Sequence, residues 1–506
     1  MGGVRRRRII GALAGPLLLQ ACGGGKDVVP FEGPVARPVA VANAAVGDII
    51  TLDGSSSTPA QGAVSRYEWL VEAPDGSTVL LFNGTGPSPW FLARLAGAYR
   101  VFLRVVVDSP FYSGASPVVT LNIQVGPRAV LTADEVKARI RTLAATASPL
   151  QLPDGTSPAI TIGQNGGAPA IAGSRLITWD TPVFTYSGDM QIAGSVYPDY
   201  LLGANRAVSY AVSQRKGNYL TIDFDTDAQS LEVFEKGYGY TSLMRVVVDG
   251  RLASDTPFGY PADGGRYLTL LTFANRATRH IRLLAYDPYF GGVHIGPNDS
   301  IVRHAVPLRV RAMFLGDSIT EGPAGQDARS SYAALTAEVL GWDDAWLSGV
   351  GATGYLAAPG AKLTFRARYA SDVKAYAPEV LVIAGGINDA VYSDLQIRTE
   401  ASLLFDQIQA DLPQTLVFVA GPWSNASRLR PGINAALKSA MGVRTNFFWL
   451  PNFDEPWISG TGNAGTLRGD GNADIYISSD TTHPTPSGIQ YLAAKTATAV
   501  RTAIGS

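Results

Sequence analysis

Ser318 stands in Phe314-Leu315-Gly316-Asp317-Ser318-Ile319-Thr320-Glu321-Gly322, where an apolar run breaks into a turn. A serine hydroxyl attacks only when a base takes its proton, and near neutral pH that base is a histidine. The chain has four. His280 falls in an apolar strand-like run, and His294 and His304 in the segments leading out of it, each without an acid at orienting spacing in a recognisable turn. His483 differs, because Asp480-Thr481-Thr482-His483-Pro484 places a carboxylate three residues before the imidazole. That spacing lets both side chains leave one face of a turn, so Asp480 can hold Nδ1–H while Nε2 faces the serine. A tetrahedral intermediate also needs donors for its oxyanion. Candidates are the Asn388 amide in Gly385-Gly386-Ile387-Asn388-Asp389, a backbone N–H in the loop Ser348-Gly349-Val350-Gly351-Ala352-Thr353-Gly354, and the N–H of Ser318 itself. The chemistry expected is acyl transfer through an acyl-enzyme, with no metal and no cofactor.

These groups meet only if the chain between them folds to bring them together. From about Pro307, short apolar runs at 310–315, 345–347, 380–384, 416–420 and 447–450 alternate with helical stretches. The clearest helix spans Ile397 to Leu412, with Ile397, Ala401, Leu404, Phe405, Ile408 and Leu412 on one face. Strands alternating with helices over ~200 residues predict a doubly wound parallel sheet, whose sites form from loops at the carboxyl ends of the strands. All four motifs fall in such loops.

Gly-Asp-Ser-Ile-Thr, a Gly-rich second block, Gly-x-Asn-Asp and Asp-x-x-His-Pro, in that order, resemble the SGNH (GDSL) hydrolases, serine esterases with a flavodoxin-like sheet. The resemblance covers roughly residues 308 to 506, within a hydrolase domain expected over 306–506. It implies Ser318 as nucleophile and first oxyanion donor, Asn388 as a donor, His483 as general base and Asp480 as its orienter. The second block departs from the family: the donor glycine falls at Ala352, with Gly351 just before it, and the usual Asn is Leu347. A backbone N–H survives substitution by Ala, so activity is expected and the donor is Gly351 or Ala352. Gly349-x-Gly351-x-x-Gly354 with Asp372 also satisfies a dinucleotide fingerprint. That motif must open a helix, and Pro359-Gly360 interrupts the chain.

The upstream half reads as export and spacing. Arg5 to Arg8, an apolar run from Ile9 to Leu19 and Leu19-Gln20-Ala21-Cys22 form a secretory signal over residues 1–21 whose end resembles a bacterial lipobox. That resemblance implies lipid attachment at Cys22, and hence an exported, membrane-anchored lipoprotein of the bacterial cell envelope. Gly23, rather than Asp, is similar to outer-membrane sorting signals. Residues 22–37 are a flexible tether. Residues 38–126 alternate as short strands, and Leu-Asp-Gly-Ser-Ser-Ser, Tyr-x-Trp and Gly-x-Tyr-x-Val-x-Leu-x-Val resemble PKD-type immunoglobulin-like sandwiches. Residues 127–150 hold a helical connector opened by Thr132-Ala133-Asp134-Glu135, with Val136, Ile140 and Leu143 on one stripe. Residues 151–305 read as a jelly-roll-like sandwich. Within it Asp223-x-Asp225-x-Asp227 suggests a calcium loop, but Ala228 and Phe234 stand where Gly and Glu are needed, which leaves solvent-facing aspartates on a strand.

The 506 residues carry 41 Lys+Arg against 42 Asp+Glu and one Cys. Removing the signal takes four arginines and no acids, leaving 37 basic against 42 acidic residues. Such a balance offers nothing to nucleic acid, and one Cys makes no internal disulfide. A jelly-roll domain directly before an SGNH domain is similar to the acetyl esterases of carbohydrate esterase family two, which implies O-acetyl removal from a glycan. Tyr355, Trp423 and Trp457, in loops after the motif strands, are candidate sugar platforms. The expected substrate is an acylated carbohydrate or small ester. The alternatives are a broad carboxylesterase, thioesterase or lipase, or a surface binding lipoprotein with an inactive hydrolase domain.

Overall fold

The computed structural model describes residues 33–127, 130–146, 157–192, 201–203, 219–237, 242–304, 310–322, 328–422 and 431–505, apart from positions 42, 80, 83, 94, 111, 164, 165, 180, 189, 255, 262, 287 and 343. Cys22 and Trp423 lie outside the described residues. No helix among the described residues is long and apolar enough to cross a membrane.

One compact unit consists of the described residues up to Asn43, Ile50–Pro89 and Gly97–Gln124. Its longest strand, Gly97–Ser109, pairs antiparallel with Arg66–Glu72 and with Tyr112–Ala115. Tyr99, Val101, Leu103 and Val105 turn inward, while Arg100 and Arg104 point out to Glu72 and Glu68. This is the period-two alternation read in the sequence.

The second unit contains Ala44–Ile49, Trp90–Ala96 and the described residues from Val125 onward. Its first part is built from two antiparallel sheets. One runs through Tyr289–Ile295, Ser230–Lys236 and Arg266–Thr272; the other through Tyr219–Thr226, Arg279–Tyr286 and Ser242–Val248. Phe184 meets Phe224 of the second sheet and Phe290 of the first edge-on, at 5.5 and 5.3 Å. Leu220, Ile222 and Phe224 are buried as expected, but so is Asp223. The expectation of solvent-facing aspartates fails there because Asp223 stands opposite Arg282 in the register and accepts from Arg282 Nε at 2.7 Å, with His280 Nε2 at 2.8 Å. A carboxylate held by a guanidinium can be buried where a bare one cannot.

The remaining part carries five parallel strands, β1 (Arg311–Gly316), β2 (Asp344–Gly349), β3 (Val380–Ala384), β4 (Leu416–Ala420) and β5 (Phe447–Trp449). They lie in the order β2-β1-β3-β4-β5, in which the chain reverses direction beside β1. Both faces of the sheet are covered, so its strands read as continuous apolar runs. Ala312, Phe314, Val380, Val382, Leu416 and Phe418 enter one core; Met313, Leu315, Leu381, Ile383, Val417 and Val419 enter the other. The second core is closed by α4 (Asp394–Asp411) and α5 (Pro431–Met441). Ile397, Ala401, Leu404, Phe405 and Ile408 are the buried face of α4, as its periodicity predicts. The first core is closed by α3 (Tyr332–Leu340), α6 (Pro486–Ala503) and α1 (Ala133–Thr146). The stripe Val136 and Ile140 therefore belongs to this α/β core, and Gln414 Oε1 accepts from the Ala133 N–H at 3.0 Å. The capping box read at Thr132 and Glu135 is formed.

Candidate active site

β1 ends at Gly316, and Ser318 opens α2 (Ser318–Glu321), a single turn whose first N–H groups need acceptors. Asp317 supplies one, taking the Ile319 N–H on Oδ1 at 3.0 Å. Ser318 is left half-buried on the carboxyl edge of the sheet, with Asp317 buried behind it. The end of β2 approaches so closely that a Cβ on Gly349 would collide with the Glu321 backbone, which is why glycine stands there.

The histidine arrives from the other end of the domain. An isolated bridge between Ile477 and Pro484 closes a tight loop, with Thr481 in the left-handed region at φ 62°. Immediately after it, Thr485 caps α6, accepting the Gly488 N–H at 3.0 Å, and Pro486 stands in its first turn. The loop folds back around Asp480. Its Oδ1 accepts from the Thr482 N–H, the His483 N–H and Ser478 Oγ at 2.9, 2.9 and 2.7 Å, and its Oδ2 lies 2.6 Å from His483 Nδ1. On the far side of the ring, Nε2 is 2.8 Å from Ser318 Oγ. Partial burial pushes Asp480 up, but the hydrogen bonds from His483, Ser478 and Thr482 outweigh it and hold the carboxyl well below the usual carboxylate range. Asp480 is thus a standing anion whose Oδ2 faces Nδ1, an arrangement that favours the proton on Nδ1 and the lone pair on Nε2.

The donor side is assembled from the loops after β2 and β3. Asn388 follows β3, and its Nδ2 donates to Thr353 O at 2.9 Å, tying the two loops together. The Gly351 N–H is taken by Glu321 Oε2 at 2.6 Å, and Ala352, exposed, has φ 64°. Asp389 anchors the continuation of the β2 loop: its buried carboxylate accepts the N–H groups of Tyr355, Leu356 and Ala357 at 2.9, 2.9 and 2.8 Å. A Cβ on Gly354 would strike that carboxylate. Burial pushes Asp389 up, with the three N–H groups pulling the other way.

Beneath Ser318 lies a buried charge that no spacing in the sequence announces. Arg368, fully buried, donates from Nη2 to Gly316 O at 2.6 Å, while its Nε and Nη1 have no hydrogen-bond partner among the described residues. Burial lowers it to about 10, against the nearby carboxylates of Asp372, Asp317 and Glu321. Burial likewise pushes Asp317 up to about 6; Asp389 adds to the rise, while the Ile319 N–H, His483 and Arg368 oppose it. Asp317, Glu321 and Asp389 all stand inside the motifs, so their positions were visible although their roles were not.

Residues 314–491 match the model of the GDSL-like Lipase/Acylhydrolase family. These residues are a GDSL/SGNH acylhydrolase domain. The chain is accordingly an ester-hydrolysing enzyme. Among solved structures, it is similar to a family two carbohydrate esterase from Clostridium thermocellum solved with cellohexaose (18% identity, 64% of this chain and 99% of that chain, TM-score 0.45). It is also similar to a family two carbohydrate esterase from Cellvibrio japonicus (16%, 66% and 98%, 0.47) and to an acetyl xylan esterase from Butyrivibrio proteoclasticus (14%, 66% and 99%, 0.44). No curated protein matches.

Two of the aromatics expected as sugar platforms have other work in the acylhydrolase domain. Tyr355 is 1% exposed and packs on Phe365 and Phe405; Trp457 is 5% exposed within the first core. Neither presents a ring face to solvent, because the backbone of each loop turns the side chain inward. Gly351 is corrected as a free donor, since Glu321 occupies its N–H. The dinucleotide fingerprint opens no helix: residues 350–363 are turns and coil, and Asp372 accepts from Ser348 Oγ at 2.7 Å. Elsewhere, Asp225, His280 and His304 have potential metal-ligating atoms within 4.8 Å of one another. The two imidazoles are stacked, centroids 3.5 Å apart and planes 10° from parallel. A metal lies near the plane of each imidazole that binds it, so rings stacked this way do not point at one ion. With Asp223 on His280 and Asp225 on His304 at 2.8 and 2.7 Å, the group reads as two imidazole–carboxylate pairs.

Proposed function

We propose that the acylhydrolase domain cleaves short acyl esters with Ser318 as nucleophile, His483 as general base and Asp480 as its orienter. The observation that carries this reading is the unbroken relay from Asp480 Oδ2 through both His483 nitrogens to Ser318 Oγ, at 2.6 and 2.8 Å. Ser318 Oγ attacks the ester carbonyl as Nε2 takes its proton. The carbonyl oxygen becomes an oxyanion facing the Ser318 N–H and the Asn388 amide, whose second hydrogen is available beside the bond to Thr353. Collapse expels the alcohol, which takes the proton from Nε2 and leaves an acyl-serine. A water then attacks the acyl-serine, giving up its proton to Nε2; collapse breaks the bond to Ser318 Oγ, which takes that proton back as the acid leaves.

The substrate we assign is an O-acetyl group on carbohydrate. The order of a β domain before the acylhydrolase domain supports this, as does the lack of an extended apolar segment in the sequence that would serve as a lipid-binding lid. Ser318→Ala abolishes p-nitrophenol release from its acetate ester and labelling by a fluorophosphonate probe; an active variant would overturn the triad. Acetate release from acetylated xylan or peptidoglycan, set against C2 to C12 p-nitrophenyl esters, tests the substrate, and a preference for long chains would reject it. We also assign Cys22 as the acylated first residue of an exported envelope lipoprotein. Metabolic labelling with an alkynyl fatty acid, lost in Cys22→Ser, tests that.

A further inference from the structure

Two side chains grip the turn that faces Ser318, and together they select its oxyanion donor. A Cβ built on Gly351 would lie 3.6 Å from Ser318 Cβ, so this turn flanks the nucleophile. It offers two N–H groups. That of Gly351 is consumed by Glu321 Oε2 at 2.6 Å. That of Ala352 has no acceptor among the described residues, and Ala352 is exposed. The carbonyl of the Gly351–Ala352 peptide accepts from Lys362 Nζ at 2.6 Å. A trans peptide is planar, with C=O and N–H directed oppositely, so holding the oxygen fixes where the N–H points. A cation on the oxygen also polarises the peptide and strengthens its N–H as a donor. The φ of 64° at Ala352, a conformation that costs a non-glycine residue about 1 kcal/mol or more, is the strain this grip maintains.

We propose that Glu321 and Lys362 are positioning residues that hold the Gly351 peptide groups from both sides and aim the Ala352 N–H at the oxyanion. This rests on the esterase reading of Ser318, His483 and Asp480. It settles which of the two residues donates, and it assigns a task to two charged side chains that touch neither substrate nor the reacting atoms.

The test measures kcat and KM for p-nitrophenyl acetate, and the inhibition constant of an alkylboronic acid whose tetrahedral serine adduct places an oxygen in the oxyanion position. Removing a whole donor costs ~10²–10³ in kcat; loosening one should cost about tenfold or more in Lys362→Met and Glu321→Ala. KM should stay within about threefold, and boronate affinity should fall in step with kcat. Lys362→Arg, which restores a cationic donor, and Glu321→Gln, whose amide oxygen still accepts the Gly351 N–H, should recover most of the loss. Far-UV circular dichroism accompanies each variant; should Glu321→Ala not fold, the Lys362 pair decides. Lys362→Met with kcat within twofold of the parent, a loss confined to KM, or no recovery in Lys362→Arg overturns the proposal. Failure of the underlying reading looks different, since it appears as an active Ser318→Ala enzyme.

Discussion

Replacing Asp480 with Asn would convert the relay into its wrong tautomer without disturbing the loop. Three donors converge on Oδ1, from Thr482 N–H, His483 N–H and Ser478 Oγ, whereas among the described residues Oδ2 meets only His483 Nδ1, at 2.6 Å. An asparagine has one acceptor, and it must take the Oδ1 position or leave two backbone N–H groups facing an NH₂. Its Nδ2 then occupies the Oδ2 position and donates to Nδ1. The imidazole must carry its proton on Nε2, which points at Ser318 Oγ across 2.8 Å and has no lone pair for the hydroxyl proton. Loss of the general base by tautomer costs ~10⁴ in kcat, about 5 kcal/mol of barrier, with KM little changed. Steady-state kinetics on p-nitrophenyl acetate, with circular dichroism to verify the fold, is the assay. A folded Asp480→Asn enzyme within about tenfold of the parent would refute the assignment of the orienting role. The same bonds set the sign of the pH dependence. An acid held below its ordinary range is ionised throughout the neutral region, and its support for the loop is lost only as pH falls through that low folded value.

Asp389→Asn should lower the melting temperature by several degrees, a loss of about 2–3 kcal/mol, because one amide cannot accept the N–H groups of Tyr355, Leu356 and Ala357 on both its atoms; an unchanged melt would show that the loop is held by something else. Glu235 is fully buried with no hydrogen-bond partner among the described residues, and burial raises it to about 8. The folded state therefore keeps a proton that the unfolded chain releases, and stability declines between about pH 4.5 and 8 by something on the order of 4–5 kcal/mol. Glu235→Gln should abolish that decline in thermal melts at pH 5, 7 and 8.5; parallel slopes for the two proteins would contradict the burial argument. Tyr355→Phe removes a buried hydroxyl that has no hydrogen-bond partner among the described residues, so stability should hold or rise slightly and activity on an acetylated polymer should persist. A raised KM on the polymer alone would restore Tyr355 as a sugar contact.

Local rules carried far in the α/β part. The apolar runs at 380–384 and 416–420 are the strands β3 and β4 residue for residue, since strands buried on both faces leave no polar interruption to blur their ends. The α4 face was equally plain from its 3.6 period. The connector helix was read correctly as a helix, but not as a piece of the α/β core, because its stripe says that it packs and not on what. Asp223 shows the same limit in the β part: its alternation pointed outward, and only the partner strand carrying Arg282 explains its burial. Tyr355 and Trp457 sit in loops after the motif strands, yet a loop position does not tell which way a ring turns.

By itself the sequence determined the chemistry on offer: a serine at the end of a strand, a histidine three residues after an acid, an amide after a Gly-Gly turn, and the parallel scaffold that could collect them. Those are consequences of residue type and local spacing, which act over a few residues and can be read in one dimension. The tertiary structure alone decided the contacts between distant segments, bringing Nε2 of residue 483 to Oγ of residue 318, burying Arg368 against the end of the strand before Ser318, and setting Glu321 and Lys362 on opposite sides of the turn at Gly351. Each is a meeting of loops at one edge of a folded sheet, and its geometry depends on packing that no local pattern encodes.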